Sequence, residues 1–517
     1  MRTIGLALAA VLGAAIALAG VAVMSAGPEP APPAVTVAEP HGEPAPYRVT
    51  TTHAVEIGGA TVEYEAIAGE TFLRNAAGVP TGSLFSFTYL KTPRDEARPV
   101  LFVFNGGPGS ASVWLHMGVV GPRRVVLDHE VNPSNVPPFG VADNPHSVLD
   151  VTDIVFIDPI GTGFSRVIGE GKTEVYWGVD EDAESVARFI ELWLTEYGRW
   201  NSPKFLMGES YGSVRAAILP RALMGSPIYN GVMRGITVNG IVLLGTTLKH
   251  GLERTPAEEA LDAALDLPGF AATAWYHGKA RGRHENLEAL YAESREFAAD
   301  VYAPALLAHA NGMLAEEERA ALLEDLAAWT GLSADDFGED LIITRREFAR
   351  TLLRDEGLEL GLYDSRYTLP LANSGNDPIA DDPAMGRYVP GFIAAFHQML
   401  GNDLEVRLAR PYASIMWRDL LQNWNWSRRG VGENQSYAVD IAWAMRRNPD
   451  LQVLVASGYY DLVTTAASAA QSLDAAGIPR DRIRLRNFAS GHMLYIGDTA
   501  AAFAEDVRAL IAAATKR

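Results

Sequence analysis

Apolar and polar residues alternate over residues 51–91, in runs such as Thr61-Val62-Glu63-Tyr64 and Leu84-Phe85-Ser86-Phe87, and a period of two predicts antiparallel strands at the start of the chain. Farther along, alternation gives way to short unbroken apolar runs at 100–104, 154–157, 205–207, 241–244 and 451–456. A strand that is apolar on both sides belongs in a parallel sheet covered by helices. Helical spacing lies between the runs: Val179, Ala183, Val186, Ile190 and Leu194 share one helical face, as do Phe503, Val507, Leu510 and Ile511 near the C-terminal end. The expected class is α/β, with a mostly parallel central sheet flanked by helices.

Residues 250–360 change character, being rich in Ala, Glu, Leu and Arg with few strand signals, and are expected to form a helical cap inserted over the sheet's functional edge. That divides the core into a first part, 47–249, and a second part, 361–517, in which the aromatic and proline-rich stretch 361–450 returns the chain to the core. The first 46 residues stand apart. After the basic start Met1-Arg2, residues 4–26 carry no charge and read as a secretory signal, with Ala17-Leu18-Ala19 a cleavage site and Ala26 a second candidate end; an uncleaved membrane anchor is the alternative. Seven prolines between 27 and 46 make an extended linker. The expected location is therefore exported, periplasmic or extracellular, and membrane-attached only if the leader stays on.

Composition narrows the chemistry. With 517 residues, 48% hydrophobic and 21% charged, the chain can bury a large core, which excludes a disordered or fibrous protein. A net charge of −20 repels phosphate backbones and excludes nucleic acid as a partner. The cysteine count is 0, which excludes disulfides, thiolate nucleophiles and Cys-based metal sites. The histidines show no metal-ligand spacing and no phosphate loop is present, so neither metal nor cofactor is expected. The oligomeric state stays open.

Candidate chemistry sits in three places. Gly208-Glu209-Ser210-Tyr211-Gly212 follows the apolar run 205–207 and precedes a helix-like stretch at 214–223, the strand–turn–helix setting of a nucleophile elbow. Its glycines fit the tightness of such a turn, and the serine projects at a helix N-terminus that favours negative charge. Asn105-Gly106-Gly107-Pro108-Gly109-Ser110 directly follows the run 100–104, where adjacent glycines let backbone N–H groups approach a developing alkoxide. Late in the chain, Asp461 follows a strand through Ser457-Gly458-Tyr459-Tyr460, and His492 sits in Ser490-Gly491-His492-Met493. The order Ser…Asp…His is that of α/β-hydrolases. The pattern points to acyl transfer, with Ser210 as nucleophile, His492 as base, Asp461 orienting the imidazole, and the N–H groups of Gly107 and Tyr211 as the oxyanion hole.

Five segments, Asn105-Gly106-Gly107-Pro108-Gly109-Ser110, Asp158-Pro159-Ile160-Gly161-Thr162-Gly163-Phe164-Ser165, Gly208-Glu209-Ser210-Tyr211-Gly212, Gly458-Tyr459-Tyr460-Asp461 and Gly491-His492-Met493, make the chain resemble the serine carboxypeptidase family, in its bacterial branch. The resemblance implies an α/β-hydrolase fold, peptide substrates with a free C-terminus and the triad Ser210, Asp461 and His492. It also implies that Asn105, Gly106 and Glu209 bind the substrate's terminal carboxylate. A carboxyl group can donate to a carboxylate only when protonated, and in many family members a second glutamate shares Glu209's site; where that partner is expected, this chain has Val119. An esterase or acyltransferase with the same triad is the competing expectation. Three further features are weighed as structure against function: Arg215 as a surface helix arginine or an anion binder, Trp424-Asn425-Trp426 as core or as the wall of an apolar pocket, and Asp158 as a loop-orienting acid.

Overall fold

The buried apolar runs assemble into one ten-stranded sheet. In the computed structural model, residues 45–516 are described apart from Arg254, Arg281, Arg283, Glu285 and Glu433, so the expected leader and nearly all of the proline-rich linker lie outside the described residues. Nine strands form the main path: β1 (Arg48–Ile57), β2 (Ala60–Arg74), β3 (Pro80–Lys91), β4 (Val100–Phe104), β5 (Asp153–Asp158), β6 (Lys204–Glu209), β7 (Gly240–Leu244), β8 (Gln452–Gly458) and β9 (Ile483–Phe488). Their spatial order is β1-β2-β3-β5-β4-β6-β7-β8-β9, and the two-residue strand Arg166–Val167 pairs with β3. From β5 to β9 every neighbour is parallel. β1, β2 and β3 form an antiparallel wing joined to β5. This is the mostly parallel sheet of an α/β-hydrolase, with β6 near its middle.

Two apolar layers cover the faces. On one, Phe85, Phe87 and Val103 pack with Phe392 and Phe396 of the helix Pro383–Asn402 and with Phe503 of the helix Thr499–Thr515. On the other, Leu84, Phe102 and Leu206 meet α1 (Val179–Glu196) and α2 (Tyr211–Met224). The alternation in β3 suggested a strand buried on one side, yet its polar positions Ser83, Ser86 and Thr88 are buried too. On the side that carries Thr88 the cause is α1, whose Trp193 Nε1 donates to Thr88 Oγ1 at 3.2 Å.

Between β7 and β8 the chain leaves the main sheet. Helices Pro256–Ala264, Leu267–Tyr276, Leu287–Phe297, Ala303–Ala310, Glu316–Thr330 and Arg345–Thr351 follow, two of them started by the capping boxes Thr255/Glu258 and Thr344/Glu347. They enclose their own core, in which Phe270 and Phe348 stack at 4.2 Å, and Leu462 from the loop after β8 is part of it. Between residue 360 and β8 the chain adds a helix to each layer, Pro383–Asn402 on one face and Ala438–Arg447 on the other. None of the described helices is long and apolar enough to cross a membrane.

Candidate active site

Strand β6 ends at Glu209 and α2 begins at Tyr211, leaving Ser210 alone in the turn with φ 58° and ψ −128°. A positive φ in a non-glycine residue costs about 1–3 kcal/mol and persists only where its surroundings enforce it. Here Ser210 N donates to Leu244 O at 3.0 Å, and its own carbonyl accepts from Ser213 N and Ser213 Oγ at 2.8 and 2.6 Å. The flanking glycines have a steric cause: a Cβ on Gly208 would collide with the Gly212 carbonyl. Gly106 presses on the same turn from the loop after β4, where a Cβ would overlap Tyr211 N and approach Glu209 O at 2.6 Å. Gly106→Ala is therefore expected to destabilise the fold by about 3 kcal/mol, read by urea unfolding, because backbone on both sides must move.

Asp461 and His492 lie in the loops after β8 and β9. Asp461 Oδ1 accepts from the N–H groups of Val463 and Thr464 at 2.8 and 2.9 Å, and Oδ2 accepts from Thr464 Oγ1 at 2.6 Å and lies 2.7 Å from His492 Nδ1. Burial opposes a charge on His492, but the Asp461 carboxylate and this hydrogen bond outweigh it and hold the imidazole above its ordinary value. Ser210 and His492 line one pocket together with Asn105, Gly106, Gly107 and Glu209. Tyr211 opens α2, so its N–H lies outside the helical ladder and remains available, as does the glycine-rich backbone at Gly107 for a ligand beside Ser210.

A segment that the sequence did not single out ties the acid loop to the histidine loop. Leu362 O accepts from Leu462 N at 2.9 Å, Ser365 N donates to Tyr460 O at 3.0 Å, and Tyr363 O accepts from His492 N at 2.6 Å. The Tyr363 ring stands edge-on to the imidazole at 5.2 Å. Buried Arg366 pairs with Asp364 and Glu130, both at 2.7 Å, and donates to Ala489 O at 3.2 Å. Arg366→Met leaves buried Asp364 without its cation, and a loss of about 3 kcal/mol in urea unfolding is expected.

Glu209 is 3% exposed. Its Oε2 accepts from Asn105 Nδ2 at 2.8 Å and from Tyr495 Oη at 2.7 Å. Burial pushes its carboxyl up to about 7, against the opposing pull of His492 and the two donors. Val119 is fully buried in the apolar layer, and Tyr495 makes the hydrogen bond to Glu209 that a second acid was expected to make. Arg215 is corrected on both expectations. It is 0% exposed, its Nε donates to Asp182 Oδ2 at 2.6 Å and its Nη1 to Asn105 O at 2.7 Å, so it braces the loop that carries Asn105. Trp424 and Trp426 stand edge-on to Tyr211 at 5.5 and 6.0 Å and pack behind the elbow in the core layer. Asp158 orients loops: Oδ1 accepts from Ser112 N, Ser112 Oγ and Tyr412 Oη, while burial raises its carboxyl to about 6.

Two cavities meet at the elbow. The first holds Glu209, Asn105 and His492 with an apolar wall of Trp114, Ile379, Met385, Ile415 and Met493. The second, wider and more polar, extends past Thr246, Lys249, His250 and Asp262 beneath the helical insertion. Ser210, Gly107, Tyr363 and Trp417 line both. A bond held over Ser210 thus has one small apolar chamber ending in a carboxyl group and one wide open side. Among the described residues no cluster able to hold a metal ion is found.

The family model for serine carboxypeptidase matches residues 75–241, the stretch with the glycine loop and the elbow. The chain is 30% identical over 152 residues to the pheromone-processing carboxypeptidase KEX1 of Ajellomyces capsulatus, covering 28% of this chain and 22% of that protein. It is 26% identical over 139 residues to serine carboxypeptidase-like 36 of Arabidopsis thaliana, covering 26% of this chain and 27% of the relative. The matches therefore span less than a third of the length of these relatives. Among solved structures, a proline iminopeptidase of Mycobacterium smegmatis aligns at a TM-score of 0.32 and 13% identity, over 90% of this chain and 100% of that one. Over residues 75–241, about a third of its length, the chain therefore matches the serine carboxypeptidase family.

Proposed function

We propose that the protein is an exported serine-type carboxypeptidase that hydrolyses the C-terminal bond of peptides through Ser210, His492 and Asp461. The observation that carries this reading is the buried Glu209 carboxyl, which closes a small apolar chamber beside Ser210 and His492. A chamber of this kind suits a single residue with a free carboxylate, since a protonated Glu209, with Asn105 and the Gly106 backbone, supplies donors to it. The apolar wall favours an apolar C-terminal side chain, and the wider cleft takes the rest of the peptide.

In the reaction, Ser210 Oγ attacks the scissile carbonyl carbon while its proton passes to neutral His492 at Nε2. Asp461 holds Nδ1–H and stabilises the imidazolium. The oxyanion forms against the N–H groups of Gly107 and Tyr211, each donor contributing about 3 kcal/mol. As the C–N bond breaks, His492 returns the proton to the leaving amine, and the free amino acid departs. Water then attacks the acyl-enzyme, giving its proton to His492, and Ser210 recovers a proton as the shortened peptide leaves.

The test is an N-blocked dipeptide with an apolar C-terminal residue, its C-terminal amide and its ester, followed by chromatography between pH 4 and 8. Release of the C-terminal amino acid from the free acid, at a higher kcat/KM than release from the amide, is expected; no turnover of the free acid would sink the proposal. Val119 in place of a second acid favours one other reading, an esterase or acyltransferase with the same triad. For that enzyme the ester would turn over fastest and blocking the C-terminus would make no difference.

A further inference from the structure

Glu209 has two oxygens, and the protein treats them differently. Asn105 Nδ2 and Tyr495 Oη both donate to Oε2, at 2.8 and 2.7 Å. The Asn105 amide cannot be turned round without loss, because its Oδ1 accepts from Leu115 N at 3.2 Å. In the protonated acid, the oxygen that accepts both hydrogen bonds is the carbonyl oxygen, so the proton then resides on Oε1. Among the described residues, no protein donor or acceptor holds Oε1, and Glu209 lines the chamber beside Ser210.

We propose that Tyr495 is a positioning residue for carboxylate recognition: its hydroxyl fixes the Glu209 carboxyl so that Oε1–H is the donor offered to the substrate's terminal carboxylate. The inference rests on the reading of Glu209 as the group that recognises that carboxylate. The seat for Tyr495 is built in: Gly118 lies against its ring, where a Cβ would overlap Cδ2 and Cε2. Val119, next in the chain, turns into the core, and its carbonyl accepts from Asn144 Nδ2 at 2.6 Å. The titratable and charged groups around Glu209 are His492 and Asp461 from the loops after β9 and β8, Tyr363 from the clamping segment, and Tyr495 itself. Burial drives the Tyr495 phenol well above its ordinary value, so it remains a neutral donor through the working range.

A phenol donating to Oε2 stabilises the ionised acid as well as orienting the neutral one. Tyr495→Phe removes that bond and keeps the ring that Gly118 accommodates. The expected result on a free-acid peptide at pH 6 is a rise in KM of about tenfold with kcat within about twofold. The alkaline limb of kcat/KM moves up by about one pH unit, and the matched amide is unaffected. With 3-fluorotyrosine at position 495, a stronger donor of nearly the same size, the limb moves to lower pH. Equal losses on acid and amide, or a limb that stays in place in both variants, would overturn the assignment. Glu209→Gln separates the two levels. If it leaves the acid-to-amide ratio and its pH course unchanged, the carboxylate reading itself fails; if it flattens that course while Tyr495→Phe leaves the limb fixed, only the role of Tyr495 fails.

Discussion

Asp461→Asn is expected to lower kcat on a peptide by about 10⁴-fold with little change in KM. The size follows from the way the carboxylate is held. Its Oδ1 accepts two backbone N–H groups, from Val463 and Thr464, so the oxygen of an asparagine must occupy that position. The amide nitrogen then takes the place of Oδ2 and faces His492 Nδ1 and Thr464 Oγ1. An NH₂ group there makes Nδ1 an acceptor and drives the ring proton to Nε2, the nitrogen that must receive the proton of Ser210. Steady-state kinetics on a blocked dipeptide measures the loss. A fall below tenfold would mean that Asp461 is not the group that sets the tautomer.

Glu209→Gln should have an effect of opposite character, small at low pH and large at high pH. Burial sets the folded value of the Glu209 acid at about 7, so the donor to the substrate carboxylate is present below that value and lost as pH rises through it. In the unsubstituted enzyme, kcat/KM on free-acid peptides should therefore fall about tenfold per pH unit above that point, and about 100-fold two units beyond it. Glutamine places its oxygen where Asn105 and Tyr495 donate and its NH₂ where Oε1 stood, a donor that does not titrate. The variant should keep a flat alkaline limb and exceed the parent on free acids at about pH 9. His492 sets the other limb, because its imidazole, raised by Asp461 and further by ionised Glu209, must be neutral to act as base. Protonating Glu209 removes one of the charges that raise it, so the two titrations are coupled and the profile on free acids is bell-shaped, whereas amides and esters rise to a plateau. A variant profile that keeps the parent's alkaline fall would contradict this role for Glu209.

Much of this was legible from local pattern. The buried strands declared themselves as unbroken apolar runs, and Ser210 and Asp461 each follow one, while His492 follows the alternating, largely exposed edge strand β9; a parallel sheet delivers all three loops to one edge. What escaped were contacts set by distant packing. Arg215 lies on a helix with little periodic contrast, and only the approach of α1 with Asp182 makes its burial possible. Trp424 and Trp426 are apolar enough for either a pocket or a core, and the path of the chain around Tyr211 decides for the core. The clamp formed by 361–367 works mainly through main-chain hydrogen bonds, which leave no mark on side-chain identity. Tyr495 is the instructive case: it stands three residues past His492, but its hydroxyl gains meaning only when Gly118 makes room for the ring beside Glu209.

The claim on which everything else depends is that the strained turn presents one serine hydroxyl, activated by His492, to an acyl group. Treatment with a fluorophosphonate followed by peptide mass spectrometry tests it most directly. The account requires a single adduct on Ser210, forming at a rate that falls at least about 10³-fold in His492→Ala. An adduct at another residue, or peptide hydrolysis that persists at the parental rate in Ser210→Ala, would contradict it.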